Sequence, residues 1–565
     1  MKGMKLMANT FSAKKKEIYN AALDAAKKVY TDIEIPEFVI EEPKDKNNGD
    51  FAVNVAMMLA RAAKSSPRQI AENIVKEIDK DAIGAEKIEV AGPGFINFYL
   101  DKSYLHNVIF EIEKDGESYG NIDIANGKSV VVEFVSANPT GPMHMGNARG
   151  GALGDTLSNV LSAAGWNVTK EFYINDAGAQ IKKFGKSLSA RYMQALLGED
   201  KVGFPEDGYQ GDDIKVHAQN YIEKFGDNLL EKSEEEREDA LVEYALPLNI
   251  AALKKTLADY GINYDVWFSE STLHNSGSVA DTIEKLKENG ITYENEGALW
   301  IKSTEFGSEK DDVLVRANGI PTYFAADIAY HRNKLEERGF DLAINIWGAD
   351  HHGHIARMKG AMNSVGADGD KLNVLIIQLV RLMRNGEIAR MSKRTGKMIT
   401  LADLIEEIGV DAARFFFNMR AAGSHMDFDL DLAVSQSNEN PVFYVQYAHA
   451  RICSIIRILE EEGVKVQSAK DIDLSLLTKP EEISLLEVLS KLPEEIRYAA
   501  ENFEPSNLTH YVISVASHFH SFYNACRVRD EEVNLMNARL KLIESTRVVI
   551  KNVLDILGVS APEKM

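Results

Sequence analysis

The run Val135-Ser-Ala-Asn-Pro-Thr-Gly-Pro-Met-His144-Met-Gly146-Asn147-Ala-Arg149-Gly-Gly carries a histidine, a glycine and an asparagine across a change of structure: an apolar β-type stretch, a Pro/Gly turn, then a helix beginning near Asn147. A helix N-terminus at the carboxyl end of a parallel strand suits a phosphate, because its N–H groups and dipole favour negative charge. Gly146 lets the backbone approach a nucleotide closely, and His144 can donate a hydrogen bond to a phosphate oxygen as charge grows on it. Spacing alone fits a strand-to-helix turn with a packed histidine equally well. A second stretch, Arg390-Met391-Ser392-Lys393-Arg394-Thr395-Gly396-Lys397, concentrates cations in a Gly-containing loop. Such a loop can clamp a triphosphate and stabilise a departing pyrophosphate. Taken alone it is equally an exposed basic loop, the commoner case. A third, Trp347-Gly348-Ala-Asp350-His351-His352-Gly-His354, gathers donors that zinc accepts.

Positioning these residues requires a scaffold, and the pattern suggests three regions. Residues 1–115 read as an α+β domain, with helical spacing over 14–30, 51–63 and 67–78, then alternating strands Ile88–Val90 and Phe95–Leu100 about Gly92-Pro93-Gly94. Residues 116–410 alternate strand and helix. Val130–Val135, Val168–Tyr173, Asp341–Trp347 and Leu372–Gln378 are apolar enough for buried parallel strands, which predicts an α/β, doubly wound parallel sheet. Within it, 181–265 reads as a helical, charged insertion, whose Glu234–Glu238 run suits a solvated helix face. From 411 to 565 strand signals vanish and helical periods fill 411–419, 441–459, 480–502, 506–523 and 535–557, predicting an all-α domain.

Composition excludes several classes. The chain has 565 residues, 45% hydrophobic and 27% charged, ordinary for a folded protein of three or four domains at about 150 residues each. Two cysteines, Cys453 and Cys526, build neither a disulfide framework nor a four-thiolate zinc site, and a reducing cytosol is the expected compartment. Residues 1–19 lack the apolar stretch of a secretory signal, and no apolar run is long enough for a bilayer, so no membrane association is expected. A net charge of −22 disfavours non-specific nucleic-acid binding. Yet residues 381–397 hold six basic residues against the single acid Glu387, so a polyanion can still bind locally.

Together and in this order, the histidine turn and the basic loop resemble the HIGH and KMSKS signatures of class I aminoacyl-tRNA synthetases. The closest resemblance is to the arginyl-tRNA synthetases, of the bacterial type, along nearly the whole chain. Glu133-Phe-Val-Ser-Ala-Asn-Pro-Thr-Gly-Pro-Met-His-Met-Gly-Asn is similar to that family's strand-and-HIGH segment, and Tyr447-Ala-His-Ala-Arg451 to the opening of its helical anticodon-binding domain. The ending Ala561–Met565 is similar to its C-terminus. Asn48-Gly-Asp-Phe and Gly92-Pro-Gly-Phe95-Ile-Asn97 resemble its extra N-terminal domain, which binds the tRNA elbow. Two positions depart from the pattern: Asn147 replaces the second histidine of HIGH, and Arg390 the first lysine of KMSKS, keeping charge but changing donor geometry.

The resemblance implies ATP-dependent activation of L-arginine to arginyl-adenylate and its transfer to the terminal ribose of tRNA-Arg. It implies that His144 and Lys393 are catalytic, and that His144, Gly146, Asn147, Gly348, Asp350, Met391, Ser392 and Lys393 bind ATP. Glu133, Tyr323 and Asp327 would read the guanidinium, a planar fork of donors that calls for carboxylates. Tyr323 and Asp327, four apart, fall on one helical face. Ser136, Asn138 and His351 complete the arginine site, the last two at the α-amino and carboxylate end. Phe95 and Asn97 are implied tRNA D-loop contacts, and Tyr447, Tyr523 and Met565 anticodon-side contacts. The histidine-rich segment resembles the family's adenosine-binding loop, so no structural zinc is expected and magnesium should arrive with ATP. A monomer is expected, as is a requirement for bound tRNA before arginine activation. Rival readings are a cysteinyl enzyme, disfavoured by the lack of a Cys/His zinc constellation, a glutamyl enzyme, whose substrate Glu133 with Asp327 would repel, and a paralogue that binds RNA or partners without catalysis, disfavoured by the presence of both His144 and Lys393.

Overall fold

The computed structural model describes residues 9–349, 353–389, 399–529 and 531–565. Its centre is a sheet of five strands: β1 (Ser129–Glu133), β2 (Asn167–Ile174), β3 (Val266–Ser269), β4 (Leu342–Gly348) and β5 (Leu372–Ile377). They lie in the order β5-β4-β1-β2-β3, and every neighbouring pair is parallel. Val130, Val131 and Val132 are fully buried, as expected of a strand covered on both faces. The direction of winding reverses between β1 and β4, and a crevice opens at the carboxyl ends of such a pair.

Two features set the geometry at that crevice. Beyond β1 the backbone takes left-handed conformations at Val135 (φ 69°) and Ser136 (φ 41°), and Ser136 N–H donates to the Phe134 carbonyl two residues back (3.0 Å). A β-branched residue with positive φ is a strained exception, and it marks where the chain is bent out of the sheet. Helix α1 (Gly146–Ala163) then runs back against β1. The approach is so close that a Cβ on Gly154 would lie 2.2 Å from the Phe134 ring. Buried Arg149 of α1 donates to the carbonyls of Gln378, Ala421 and Ser424, tying the helix to the segment that follows β5.

The N-terminal region folds around its own core of Ile18, Phe51, Ile70, Ile96 and Phe98, with a four-stranded antiparallel sheet and three helices. It meets the C-terminal helices through polar contacts, Ser12 with Glu494, Lys46 with Glu487, and Lys491 with Glu42, and through Leu105, Val108, Ile109 and Ile112, which join the C-terminal core. The helical insertion comprises Gly178–Leu197, Asp212–Phe225 and Glu234–Asp259. Its acidic run forms the first turn of the last helix, where carboxylates complement the helix dipole and Glu236 completes a capping box with Ser233. The C-terminal helices pack around the long helix Val533–Leu557. Among the described residues no helix is long and apolar enough to cross a membrane.

The structure differs from the sequence pattern in places. Phe51–Val53, read as helical, is a strand paired with Phe95–Leu100, and the helix begins at Val55; the burial of Phe51 and Val53 against Ile96 and Phe98 overrides local spacing. The period over 480–502 breaks into Pro480–Leu489 and Leu492–Glu501, because Pro493 cannot continue the ladder and starts a new first turn. Strands also persist past residue 410: Met426–Asp429 lies parallel to Val380–Arg384. That strand, β3, and the small sheet of Thr292–Asn295, Ala298–Ile301 and Asp312–Val315 are only four residues each, too short to show a period.

Candidate active site

Glu133 ends β1 at the switch point, buried, and its register partner on β4 is Asn345. Its Oε2 accepts from Lys334 Nζ (2.7 Å) and Asn345 Nδ2 (2.8 Å), and its Oε1 accepts from Ser136 Oγ (2.9 Å). Burial alone would raise this carboxyl, but the Lys334 ammonium and these hydrogen bonds outweigh it and hold the pKa below the ordinary value. Ser136 Oγ also accepts from Tyr173 N–H (3.1 Å), so the left-handed turn positions a hydroxyl between β1 and β2.

Helix α2 (Tyr323–Arg332) supplies the facing groups. Tyr323 stands 42% exposed at its first turn, its hydroxyl accepting from Ala179 N–H (3.1 Å). Gly178 (φ 78°) permits that approach, since a Cβ there would lie 3.1 Å from the Tyr323 hydroxyl. Together with Glu270, His274 and Arg316 these residues line a cleft of about 300 Å³. One turn on, the Asp327 carboxylate has no bonded donor among the described residues. Burial first, then the charges of Glu133 and Glu270, push its pKa up to about 7 against the opposing pull of Arg357 and Lys334. A carboxylate in that state is the natural partner of an incoming cation.

The histidine turn lies at the start of α1. Gly146 N–H donates to His144 Nδ1 (3.0 Å), which leaves the ring proton on Nε2, and burial lowers the His144 pKa. His144 is therefore a neutral Nε2–H donor with an exposed ring. The N–H groups of the first turn are already engaged: Met145 with the Ile399 carbonyl, Asn147 with that of His144, and Ala148 with that of Met145. An anion placed here would meet the helix dipole and the side chains of His144 and partly exposed Asn147 rather than free backbone donors. Asn138 is exposed on the preceding loop, and Gly348 closes β4 opposite Ile377. Asp350, His351, Met391, Ser392 and Lys393 lie outside the described residues. Of the basic stretch, Arg381 is paired with Asp427 and Arg384 with Glu407; the other four cations also lie outside.

The distal candidates form two groups. On the helix Pro441–Glu461, Tyr447 stacks near His520, and the Arg451 guanidinium sits 5.6 Å from the Tyr447 ring and 3.9 Å from that of Tyr523. The two tyrosines thus flank one cation and keep partly open faces. Gln446 and His449 on this helix bind the Ser560 and Pro562 carbonyls, fastening the chain end, and Met565 is 55% exposed. In the N-terminal domain Phe95 keeps accessible ring surface, whereas Asn97 is covered, at 3% exposure.

Sequence reasoning missed the layer beneath the crevice: Lys334, Asn345, His331, Glu171 and Arg338. The spacing held one signal. His331 and Lys334 follow Asp327 at four and seven residues, continuing the helical face of Tyr323 and Asp327.

Family models match the chain in three segments: the arginyl tRNA synthetase N-terminal domain over 15–100, the class I (R) tRNA synthetase catalytic domain over 109–422, and the DALR anticodon binding domain over 445–565. An arginine–tRNA ligase of Ruminiclostridium cellulolyticum is 60% identical over 564 residues, 99% of this chain and 100% of that protein. One from Acetivibrio thermocellus is 58% identical over the same length, with the same coverage. The solved Thermus thermophilus arginyl-tRNA synthetase superposes with a TM-score of 0.74 across 98% of this chain and 100% of that one; at 22% identity it speaks for the fold.

Proposed function

Because the chain belongs to the arginyl-tRNA synthetase family, we propose how its residues share the reaction. Arginine is activated with ATP to arginyl-adenylate, its carboxylate attacking the α-phosphate and releasing pyrophosphate. The arginyl group then passes to the 3′-terminal ribose of tRNA-Arg with release of AMP. In this reading the ribose 2′-hydroxyl attacks, magnesium enters as part of the ATP substrate, and the enzyme is a cytoplasmic monomer.

The observation that carries the amino-acid assignment is Asp327, a carboxylate at the switch point beside Glu133 and Glu270 with its pKa pushed up to about 7. A guanidinium relieves that repulsion and offers paired donors. Asp327, Glu133 and Tyr323 read it, while Ser136, Asn138 and His351 hold the α-amino and carboxylate end. The neutral His144 donates from Nε2 to the α-phosphate as charge develops, with the α1 dipole behind it. Gly146, Asn147, Gly348 and Asp350 hold the nucleotide, and Met391, Ser392 and Lys393 close on its phosphates, Lys393 neutralising the leaving pyrophosphate. Phe95 meets the D-loop, with Asn97 covered behind it and able only to hold its strand in place, and Tyr447, Tyr523 and Met565 meet the anticodon side, where unpaired bases stack on aromatic faces.

The test is aminoacylation of total tRNA with each labelled amino acid, ATP and magnesium, alongside ATP–pyrophosphate exchange with and without tRNA. Charging with arginine alone is expected, with exchange that requires tRNA. Charging with another amino acid overturns the pocket assignment; tight tRNA binding without charging overturns the catalytic one.

A further inference from the structure

We propose that Lys334 is the positioning residue of the arginine pocket, holding the Glu133 carboxylate in the orientation that receives a guanidinium and acting through a network shared with Asn345 and His331. The inference rests on the functional reading above and adds to it a residue that does not touch substrate.

Lys334 is fully buried on a single π-helical turn, Asn333–Glu337, that directly follows α2. Such turns cluster at functional sites because the extra residue re-aims a side chain. A buried ammonium must be matched by buried acceptors, and Lys334 Nζ has a specific set: Glu133 Oε2 at 2.7 Å, Asn345 Oδ1 at 3.2 Å and the Tyr330 ring at 4.1 Å. Glu171 lies farther off, at 3.9 Å, and is already served by Arg338 (2.5 Å) and the Tyr330 hydroxyl (2.6 Å). The charge of Lys334 is therefore directed to Glu133.

Asn345 converts this ion pair into a fixed geometry. Its oxygen accepts from Lys334, while its amide donates to Glu133 Oε2 and contacts His331 Nε2 at 3.0 Å. Burial and the Lys334 charge push the His331 pKa down to about 4, so the ring is neutral: Nε2 accepts from Asn345 and Nδ1–H donates to the Asp327 carbonyl (2.7 Å). One unbroken chain thus runs from Glu133 on β1, through Lys334, Asn345 and His331, to the helical turn carrying Asp327. With a cation beneath Glu133, both pocket carboxylates can be ionised when arginine arrives; without it, two neighbouring acids share a proton.

The experiment compares full-length Lys334→Met, Glu133→Gln and the double variant in tRNA charging, reading KM for arginine, ATP and tRNA separately, beside the unaltered chain. Lys334→Met is expected to raise the arginine KM about tenfold or more with the ATP and tRNA KM values unchanged, and the double variant to be no worse than Glu133→Gln alone. Equal losses across all three substrates, or losses that multiply in the double variant, overturn the positioning role. Should Lys334→Met not fold, Asn345→Leu, which keeps the ion pair and removes the amide that fixes it, carries the test: the arginine KM alone rises about threefold or more, and an unchanged value overturns the proposal. Arginine charging by the unaltered chain with a normal arginine KM in Lys334→Met overturns this role alone; failure of the unaltered chain to charge arginine overturns the functional reading beneath it.

Discussion

His144 and Thr400 face one another in an isolated antiparallel bridge. Leu401 N–H donates to the Met143 carbonyl (2.9 Å) and Met145 N–H to the Ile399 carbonyl (3.1 Å). The histidine turn is thereby joined to the residues that follow the basic stretch in the chain. Thr400 also caps the helix Leu401–Ile408, forming a capping box with Asp403. Thr400→Ala removes that cap, worth about 1 kcal/mol. The expected outcome is a lower melting temperature and a severalfold lower kcat for arginine activation, with the arginine KM unchanged, measured by pyrophosphate exchange in the presence of tRNA.

The pKa of Asp327, raised to about 7, predicts an arginine affinity that depends on pH with a definite sign if Asp327 receives the guanidinium as proposed. Below that value the acid must release a proton before it can receive a cation, so the arginine KM should rise roughly tenfold for each further pH unit lost and level off above it. Asp327→Asn should abolish the slope. Since the folded state holds this proton more tightly than the unfolded chain, Asp327 contributes stability at low pH that is lost as pH climbs from about 4 toward 7. Arginine should therefore raise the melting temperature more at pH 8 than at pH 6.

Arg451 sits between Tyr447 and Tyr523 and orients both rings. Arg451→Ala is expected to weaken tRNA binding severalfold, in keeping with a cation–π contribution of about 1 kcal/mol. Filter binding at two salt concentrations measures it, and the arginine and ATP KM values should not move at saturating tRNA.

Gly154→Ala places a methyl carbon 2.2 Å from the Phe134 ring, an overpacking expected to cost about 1–3 kcal/mol. Thermal denaturation checks this, and shrinking the opposing ring with Phe134→Leu should recover part of the loss.

Lys393→Ala should abolish charging while leaving tRNA affinity intact; undiminished charging would show that the pyrophosphate is neutralised elsewhere.

The parts of the site that were legible in the sequence are those whose partners are near in the chain. Tyr323 and Asp327 share a helical face by spacing, and the turn from β1 into α1 shows as an apolar run broken by proline and glycine. Lys334 lies one helical face further along, but the residue it serves, Glu133, is 201 positions away, and no local period encodes that meeting. The same holds for short strands. Met426–Asp429 becomes a strand because Val380–Arg384 is there to pair with it, and Phe51–Val53 because Phe98 and Ile96 cover it. The engaged first-turn N–H groups of α1 were hidden for a similar reason, since one of their acceptors, Ile399, comes from a remote segment.

The contacts that close the molecule also impose an order on its manufacture. Ser12 meets Glu494, made 482 residues later, so at about 5–20 residues per second the N-terminal domain waits roughly half a minute to a minute and a half on the ribosome for its partner. Its self-contained core lets it fold in the meantime. The catalytic domain has no such independence. Arg414, fully buried, donates from Nε to the carbonyl of Leu557 at the end of the last long helix and pairs with Asp155 on α1. Until that helix has left the exit tunnel, Arg414 keeps Asp155 and the Tyr260 carbonyl as partners but its Nε lacks the Leu557 carbonyl, and the packing against α1 is unfinished. A nascent chain can therefore present a folded N-terminal domain long before the catalytic domain has all of its packing, which waits for the helix Val533–Leu557.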